Sequence, residues 1–276
     1  MQEINGLREI IPGKKAILCD LWGVLHNGQK VFPGALRALS SLRENNTFVI
    51  LLSNSPKPAN VVRAQIKKIG INEDLFDVIV SSGDIAREFL GQTPGSSFFF
   101  IGPERDYPTL EGLANPRTQD LRAADFILCT GFFEDWGFDP RQYEAFLSAG
   151  IERKIPFICA NPDLEVDIGD TRMLCAGTLA KNYEGLGGTV HWLGKPKKIA
   201  YQKCFEILPE NVSPSEILAI GDNLETDILG ANAMAIENLF ITSGVHGHHG
   251  SSKEELEPFM KTLNIWPTYF MTRLDW

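Results

Sequence analysis

An α/β fold, built on a doubly wound parallel sheet with a second, smaller α/β unit inserted into it, is what this sequence predicts. Three observations carry that prediction. Short apolar runs of strand length alternate with amphipathic stretches, which is the pattern of βαβ units. Two turn-rich stretches, QTPGSS at 92–97 and GLGG at 185–188, bracket a further series of such units in mid-chain. Finally, 276 residues suffice to bury a full α/β core, either as one large domain or as two modest ones.

Ala16–Leu21 (AILCDL) reads as a buried strand that ends in a carboxylate. Leu36, Leu39 and Leu42 give Gly34–Arg43 helical spacing. Thr47–Leu52 (TFVILL) is the second strand, with a helix over Asn60–Ile69 after it. Asp77–Val80 is a short strand that leads into a helix from Asp84 to Leu90. In the second series Phe98–Ile101, Phe126–Cys129 and Pro156–Cys159 read as strands, separated by helical patterns over Glu104–Glu111 and Pro140–Ala149. Thr189–Leu193, Glu216–Ile220 and Asn238–Ile241 complete the strands, with helices over Lys197–Leu208 and Leu224–Ala235. The expected division is residues 1–91 plus 189–276 for a Rossmann-like core domain and 92–188 for the inserted α/β domain.

Composition narrows the function. Hydrophobic residues at 43% and charged residues at 22% are ordinary for a globular chain, so no disordered tract is expected. The formal net charge of −9 argues against nucleic acid or an anionic membrane as partner, since either needs a basic face. A phosphorylated small molecule stays open, because a local cluster of donors can hold a phosphate within an acidic protein. No apolar run is long enough for a signal peptide or a membrane span. The five cysteines (Cys19, Cys129, Cys159, Cys175, Cys204) are odd in number, widely spaced and form no CxxC pair, which disfavours a zinc site or a disulfide framework. The expected compartment is reducing, hence cytoplasmic.

Four chemically loaded segments fall at strand ends, where open parallel sheets bind ligands. Asp20 closes the first strand, and Ser53, Asn54 and Ser55 close the second. Lys195 precedes a helix, and Asp222 and Asp227 follow the EILAIG strand. Taken singly, each is an ordinary turn, cap or surface residue. Taken together, a carboxylate nucleophile, a hydroxyl and amide pair, one lysine and a distal carboxylate pair could hold Mg²⁺ and accept a phosphoryl group in line.

In these segments, DLWGVL at 20–25, LLSNS at 51–55, GKPKK at 194–198 and GDNLETD at 221–227, the chain resembles the haloacid dehalogenase superfamily. More narrowly, ANPD at 160–163, Gly185–His191 and the GDNLETDILGAN…ITSGVH run resemble its sugar- and nucleotide-phosphatase branch (subfamily IIA-like), in which a large C2-type α/β cap is inserted between the second and third motifs. The resemblance implies Asp20 as the nucleophile of an aspartyl-phosphate intermediate. It implies Mg²⁺ held by Asp20, the backbone carbonyl of Trp22 and Asp222, with Asp227 ordering the metal's waters or orienting Lys195. Ser53 and Asn54 would donate to the phosphoryl oxygens, and Lys195 would neutralise charge on Asp20 and the phosphate. Preorganised donors of this kind are worth a few kcal/mol each in the transition state.

One position departs from the family's phosphatases, which usually carry a second Asp two residues after the nucleophile as general acid and base. Here it is Trp22, whose indole N–H does not titrate near neutrality. Three expectations follow. The first is a phosphohydrolase with an activated substrate or a substitute proton donor, for which Asp163, Glu184 and His191 are candidates. The second is a catalytically impaired protein that binds or senses phosphate esters. The third is hydrolysis at carbon, since the superfamily's haloacid dehalogenases also place an aromatic residue here, although GDNLETD suits a metal site. Trp22 could also simply pack beside the cleft.

The cap would close over the cleft and supply substrate contacts, with Asp163 in ANPD the best local candidate. Tyr107, Phe132, Phe133, Trp136 and Phe138 make the inserted segment rich in aromatics. His246, His248 and His249 in VHGHHG invite a transition-metal reading, but no partner motif supports it. The partner expected is a small phosphorylated substrate, with a homodimer suggested by analogy alone.

Overall fold

The computed structural model describes residues 1–169, 171–247 and 250–276. Its strands are β1 (Gln2–Glu3), β2 (Ala16–Cys19), β3 (Phe48–Ser53), β4 (Val78–Ser81), β5 (Phe98–Ile101), β6 (Arg117–Thr118), β7 (Phe126–Cys129), β8 (Phe157–Cys159), β9 (Glu165–Ile168), β10 (Thr171–Leu174), β11 (Val190–Trp192), β12 (Ile217–Gly221), β13 (Glu237–Ile241) and β14 (Tyr269–Met271). The α-helices are α1 (Pro33–Glu44), α2 (Ala59–Lys68), α3 (Ser82–Gly91), α4 (Glu144–Glu152), α5 (Ala176–Gly185), α6 (Lys198–Ile207), α7 (Leu229–Ala233) and α8 (Lys253–Leu263).

The main sheet runs in the order β1-β14-β13-β12-β2-β3-β4, with every pair parallel. Successive side chains of a strand point to opposite faces. Ile17, Val49 and Leu51 therefore pack on one face against Leu39 and Leu42 of α1 and Val62 and Ile66 of α2. Leu18, Ile50 and Leu52 pack on the other against Ile85 and Leu90 of α3 and Ala200 and Tyr201 of α6. This is the doubly wound α/β architecture. The chain leaves β2 for β3 on one side and later returns to β12 on the other. The crevice at the carboxyl ends of β2 and β12 is thus a switch point, where such sheets bind ligands.

A second parallel sheet has the order β11-β8-β7-β5-β6. The strand expected over Thr189–Leu193 to open the core's second half is instead β11, the edge of this second sheet, where Val190–Trp192 pair with Phe157–Cys159. The return crossing therefore falls after β11, not at residue 189. A strand-length apolar run does not reveal which sheet will take it, and free hydrogen-bonding groups along β8 decided that here. Phe98, Phe100, Phe126 and Leu128 from this sheet join the apolar cluster of α3 and α6, so one core ties the two sheets together.

Three expected helices wind differently. Glu104–Thr109 is a 3₁₀ turn containing Pro108, and Pro140–Tyr143 is 3₁₀ before α4 begins. Leu224–Ile228 is a π-helix, with the N–H groups of Asp227 and Ile228 both donating to the Asn223 carbonyl at 3.0 and 3.2 Å. Single π turns of this kind favour functional sites. The antiparallel hairpin β9–β10 reaches back onto the main-sheet unit: Gly169 N–H donates to the Asn27 carbonyl (3.1 Å) and Arg172 Nη2 to the Val245 carbonyl (2.9 Å). No helix of the described residues is long and apolar enough to cross a membrane.

The loop after β2 folds around His26, which is 3% exposed. Its Nδ1 accepts from Gly28 N–H at 2.9 Å, while Nε2 finds no hydrogen-bond partner among the described residues. Burial pushes the imidazole pKa down to about 4 from the usual 6.5. The folded state therefore favours neutral His26, and its contribution is intact above pH 6.5 and lost as pH falls toward 4. The full loss is on the order of 3 kcal/mol at about 1.4 kcal/mol per pKa unit. Urea unfolding between pH 7.5 and 4.5 should show this loss, and His26→Gln should flatten that part of the profile. Identical pH profiles for the two proteins would count against it.

Candidate functional site

The carboxyl ends of β2, β3 and β12 bring the four loaded segments together. Asp20 N–H donates to the Ile220 carbonyl at 2.8 Å, extending the β2–β12 ladder by one bond and fixing Asp20 beside Asp222. Lys195 is 3% exposed, and its Nζ donates to Asp20 Oδ1 and to Asp227 Oδ1, each at 2.7 Å. Asp222 Oδ2 accepts from Val245 N–H at 2.7 Å, and Asp227 Oδ2 from Asn223 N–H at 3.2 Å. Two glycines permit this crowding. A methyl group on Gly221 would overlap the Asp227 side chain, and one on Gly23, whose φ is +75°, would overlap the Asp222 carboxylate.

The Asn54 side chain is engaged within the protein. Its Oδ1 accepts from Lys195 N–H (2.8 Å) and from Ser82 Oγ (3.2 Å), while its Nδ2 donates to the Lys195 carbonyl (3.1 Å) and to Asp163 Oδ1 (2.8 Å). An amide has two hydrogens, and both are engaged. The Asn54 side chain therefore holds Lys195 and Asp163 in position and has no donor left for a phosphoryl oxygen. Ser53 is buried, and its Oγ accepts from Ser55 N–H at 3.1 Å, which leaves its own hydrogen free to donate.

One carboxylate oxygen from each of Asp20, Asp222 and Asp227 lies within 4.8 Å of the others. One ammonium faces these three acids. Although burial opposes charge on Lys195, Asp20 and Asp227 outweigh it and hold the lysine pKa above its ordinary value. Burial, with Asp227 adding to it against the pull of Lys195, pushes Asp20 up to about 7. Burial and the neighbouring Asp20 and Asp227 raise Asp222 well above the usual carboxylate range. Such a set lacks positive charge, and its donors are all hard oxygens. The Trp22 carbonyl, next to Gly23 and hence to Asp222, accepts no hydrogen bond among the described residues. This chemistry fits a hard divalent cation such as Mg²⁺.

Two adjoining cavities, of about 340 and 160 Å³, share Asp20, Trp22 and Asp163 as walls. The larger is lined by Asp222, Asp227, Glu165 and Asp167; the smaller by Ser53, Lys57, Asp106, Thr130, Phe132 and Phe138. Trp22 is half-buried, edge-on to His26 at 5.0 Å between ring centroids and packed over Gly28. It packs beside the cleft and also walls it. Asp163 faces the site, and burial foremost raises its carboxyl pKa. The other two candidates for a substitute acid do not line either cavity. Glu184 accepts from Trp192 Nε1 (3.1 Å), and the His191 ring packs tilted against Phe89 (5.1 Å).

Of the aromatics in the second unit, only Phe132 and Phe138 line a cavity; Phe133 and Trp136 pack on Tyr143, and Tyr107 on Phe100. His246 packs against Phe240 and Phe259, while His248 and His249 lie outside the described residues. Sequence reasoning missed Lys57, Asp106, Thr130 and the β9–β10 hairpin. EVDIGDTRML at 165–174 does alternate about a Gly-Asp pair, the signal of a hairpin. The other three carry no local signal.

Residues 17–114 match the haloacid dehalogenase-like hydrolase family, and residues 192–273 match the HAD-hydrolase-like family. A haloacid dehalogenase-like hydrolase from Brucella suis is 32% identical, with 98% of this chain and 99% of that one covered and a TM-score of 0.88. The acid sugar phosphatase of Staphylococcus saprophyticus is 26% identical over 95% of both chains. Glycerol phosphate phosphatase from Mycobacterium tuberculosis, solved in complex with magnesium, shares the fold at 21% identity and a TM-score of 0.65, covering 86% of this chain and 70% of that one. With family matches over both the first and the last parts of the chain and a 32% identical relative along nearly its whole length, the chain belongs to the haloacid dehalogenase-like hydrolases.

Proposed function

We propose that this hydrolase is a Mg²⁺-dependent phosphatase of small sugar phosphates, working through an aspartyl-phosphate on Asp20. The observation that carries the reading is the buried Lys195 bridging Asp20 and Asp227 at 2.7 Å each, within a carboxylate triad short of positive charge. The similarity to an acid sugar phosphatase over 95% of the chain supports the substrate class. Asp20, Asp222 and the Trp22 carbonyl would hold Mg²⁺, which when bound neutralises charge on the phosphoryl group beside the nucleophile.

In the first step an Asp20 oxygen attacks phosphorus, and the sugar oxygen leaves with a proton. In the second, water attacks the aspartyl-phosphate, releasing phosphate and restoring Asp20. Lys195 orients Asp20 and offsets charge on the phosphoryl oxygens, and Ser53 Oγ donates to one of them. The segment bearing the second sheet, from about residue 92 to β11, acts as a cap that excludes water. Trp22 cannot deliver the proton. Asp163 is the carboxyl that faces the same cavities as Asp20, and burial raises its pKa in the direction that keeps a proton available. Asn54 holds it in place. Trp22 also favours a second reading, a slow enzyme whose main role is to bind phosphate esters.

An aryl phosphate assay tests the core of this proposal. Turnover should require Mg²⁺, vanish with chelator, and fall at least about 10³-fold in Asp20→Asn and about 10²-fold or more in Lys195→Met. Full activity in Asp20→Asn would remove the nucleophile from the account. Proton transfer is tested separately on sugar phosphates, whose leaving groups are poor. Asp163→Asn should lower their kcat about 10²-fold or more, with a far smaller effect on an aryl phosphate. Trp22→Asp should raise sugar phosphate turnover. A native protein that binds these esters without turnover, but gains turnover as Trp22→Asp, would favour the binding role.

A further inference from the structure

The hairpin β9–β10 stands between the two cavities. Ile168 and Met173, on one of its faces, line the smaller cavity. Glu165 and Asp167, on the other, line the larger one beside Asp20, Asp222 and Asp227. Arg172 is the cross-strand partner of Asp167 and so shares that second face. Its Nε and Nη2 donate to the two Asp167 oxygens (2.9 and 3.1 Å), and its Nη1 faces Glu165 Oε1 at 3.0 Å. The two hairpin acids thereby fix the plane of the guanidinium, and that plane aims Nη2 at the Val245 carbonyl, 2.9 Å away.

Val245 belongs to the loop after β13, which is pressed onto the metal-facing acids. A methyl group on Gly244 would overlap the Asp222 carboxylate, and Val245 N–H donates to Asp222 Oδ2 at 2.7 Å. One residue thus receives the hairpin at its carbonyl and holds Asp222 by its N–H. The bond from Gly169 N–H to the Asn27 carbonyl (3.1 Å) gives the hairpin a second foothold, on the loop that also carries Trp22.

We propose that Arg172 is a positioning residue that couples docking of the hairpin to metal binding at Asp222. This rests on the Mg²⁺ reading of the Asp20 site. With the hairpin docked, the Val245 N–H stays on Asp222 and the carboxylate keeps one orientation, so a divalent cation binds with less ordering to impose. Without Arg172 the loop after β13 loses that hold, and Asp222 must be ordered as the ion arrives. Linkage makes the effect reciprocal: a cation that favours the ordered Asp222 also favours the docked hairpin. A pure charge role predicts the opposite sign. Arg172 pairs with Glu165 and Asp167, two acids of the larger cavity, and removing its charge would leave them to draw Mg²⁺ more strongly. Positioning weakens binding instead, so the direction of the change separates the two roles.

Mg²⁺ titration calorimetry at fixed ionic strength, without substrate, tests this and needs no turnover. Arg172→Met should weaken Mg²⁺ binding about five- to tenfold. Arg172→Lys keeps the charge without the planar fork and should still weaken it by about threefold or more. In native protein Mg²⁺ should slow amide hydrogen exchange over Glu165–Ile168 and Thr171–Leu174, and the slowing should be largely lost in Arg172→Met. Unchanged or tighter Mg²⁺ binding in Arg172→Met, native affinity in Arg172→Lys, or hairpin exchange indifferent to Mg²⁺ in native protein would each overturn the coupling. Should Arg172→Met fail to fold, Arg172→Lys and the exchange of native protein decide the matter. Native protein that binds no Mg²⁺ removes the metal reading and the coupling with it, whereas native binding that both variants leave intact removes the coupling alone.

Discussion

The buried ammonium of Lys195 is the constraint on which the rest of this structure depends. A charge 3% exposed is tolerable only with partners in hydrogen-bonding contact, and here they come from residues 175 and 32 positions away in sequence. Asp20 and Asp227 must therefore arrive at one point, which obliges β2 and β12 to be neighbours. Asn54 adds β3 to the arrangement by clasping both the N–H and the carbonyl of Lys195. The same amide reaches Asp163, so one side chain joins the two sheets at the cleft.

The lysine is outnumbered by acids, and that imbalance gives the site its chemistry. Glycines at 23 and 221 let backbone and carboxylates approach more closely than any side chain would allow. The crowded acids share a need for positive charge that Lys195 does not meet alone. A cation-seeking cluster next to a hydroxyl donor and a nucleophile is a site prepared for a phosphoryl group. Trp22 alters that preparation without dismantling it. Its ring fills the space over Gly28 and against His26.

The carboxyl ends of strands from both sheets border one cavity. The main sheet supplies Asp20, Ser53, Lys195, Asp222 and Asp227. The second sheet supplies Asp106, Thr130, Phe132 and Phe138, which line the smaller cavity. The hairpin β9–β10 spans the gap, and Arg172 grips the Val245 carbonyl, whose own residue's N–H binds Asp222. The hairpin is thereby linked to Asp222 through two hydrogen bonds.

The sequence by itself determined the strand–helix alternation and the positions of Asp20, Ser53, Lys195, Asp222 and Asp227 at strand ends. Those features follow from local periodicity and from short motifs, which a linear reading can see. It also held two signals that went unread: the alternation about Gly169 that makes the hairpin, and the Ser252–Glu255 capping box that starts α8. Tertiary structure alone decided that β11 joins the second sheet, since an edge strand is chosen by which neighbour offers free hydrogen-bonding groups. Only the fold engaged both Asn54 side-chain hydrogens, with Lys195 and Asp163. Asp106 and Thr130 likewise became site residues only when β5 and β7 were laid side by side. Each is unremarkable in its own segment, and convergence on one cavity is a property that no segment has alone.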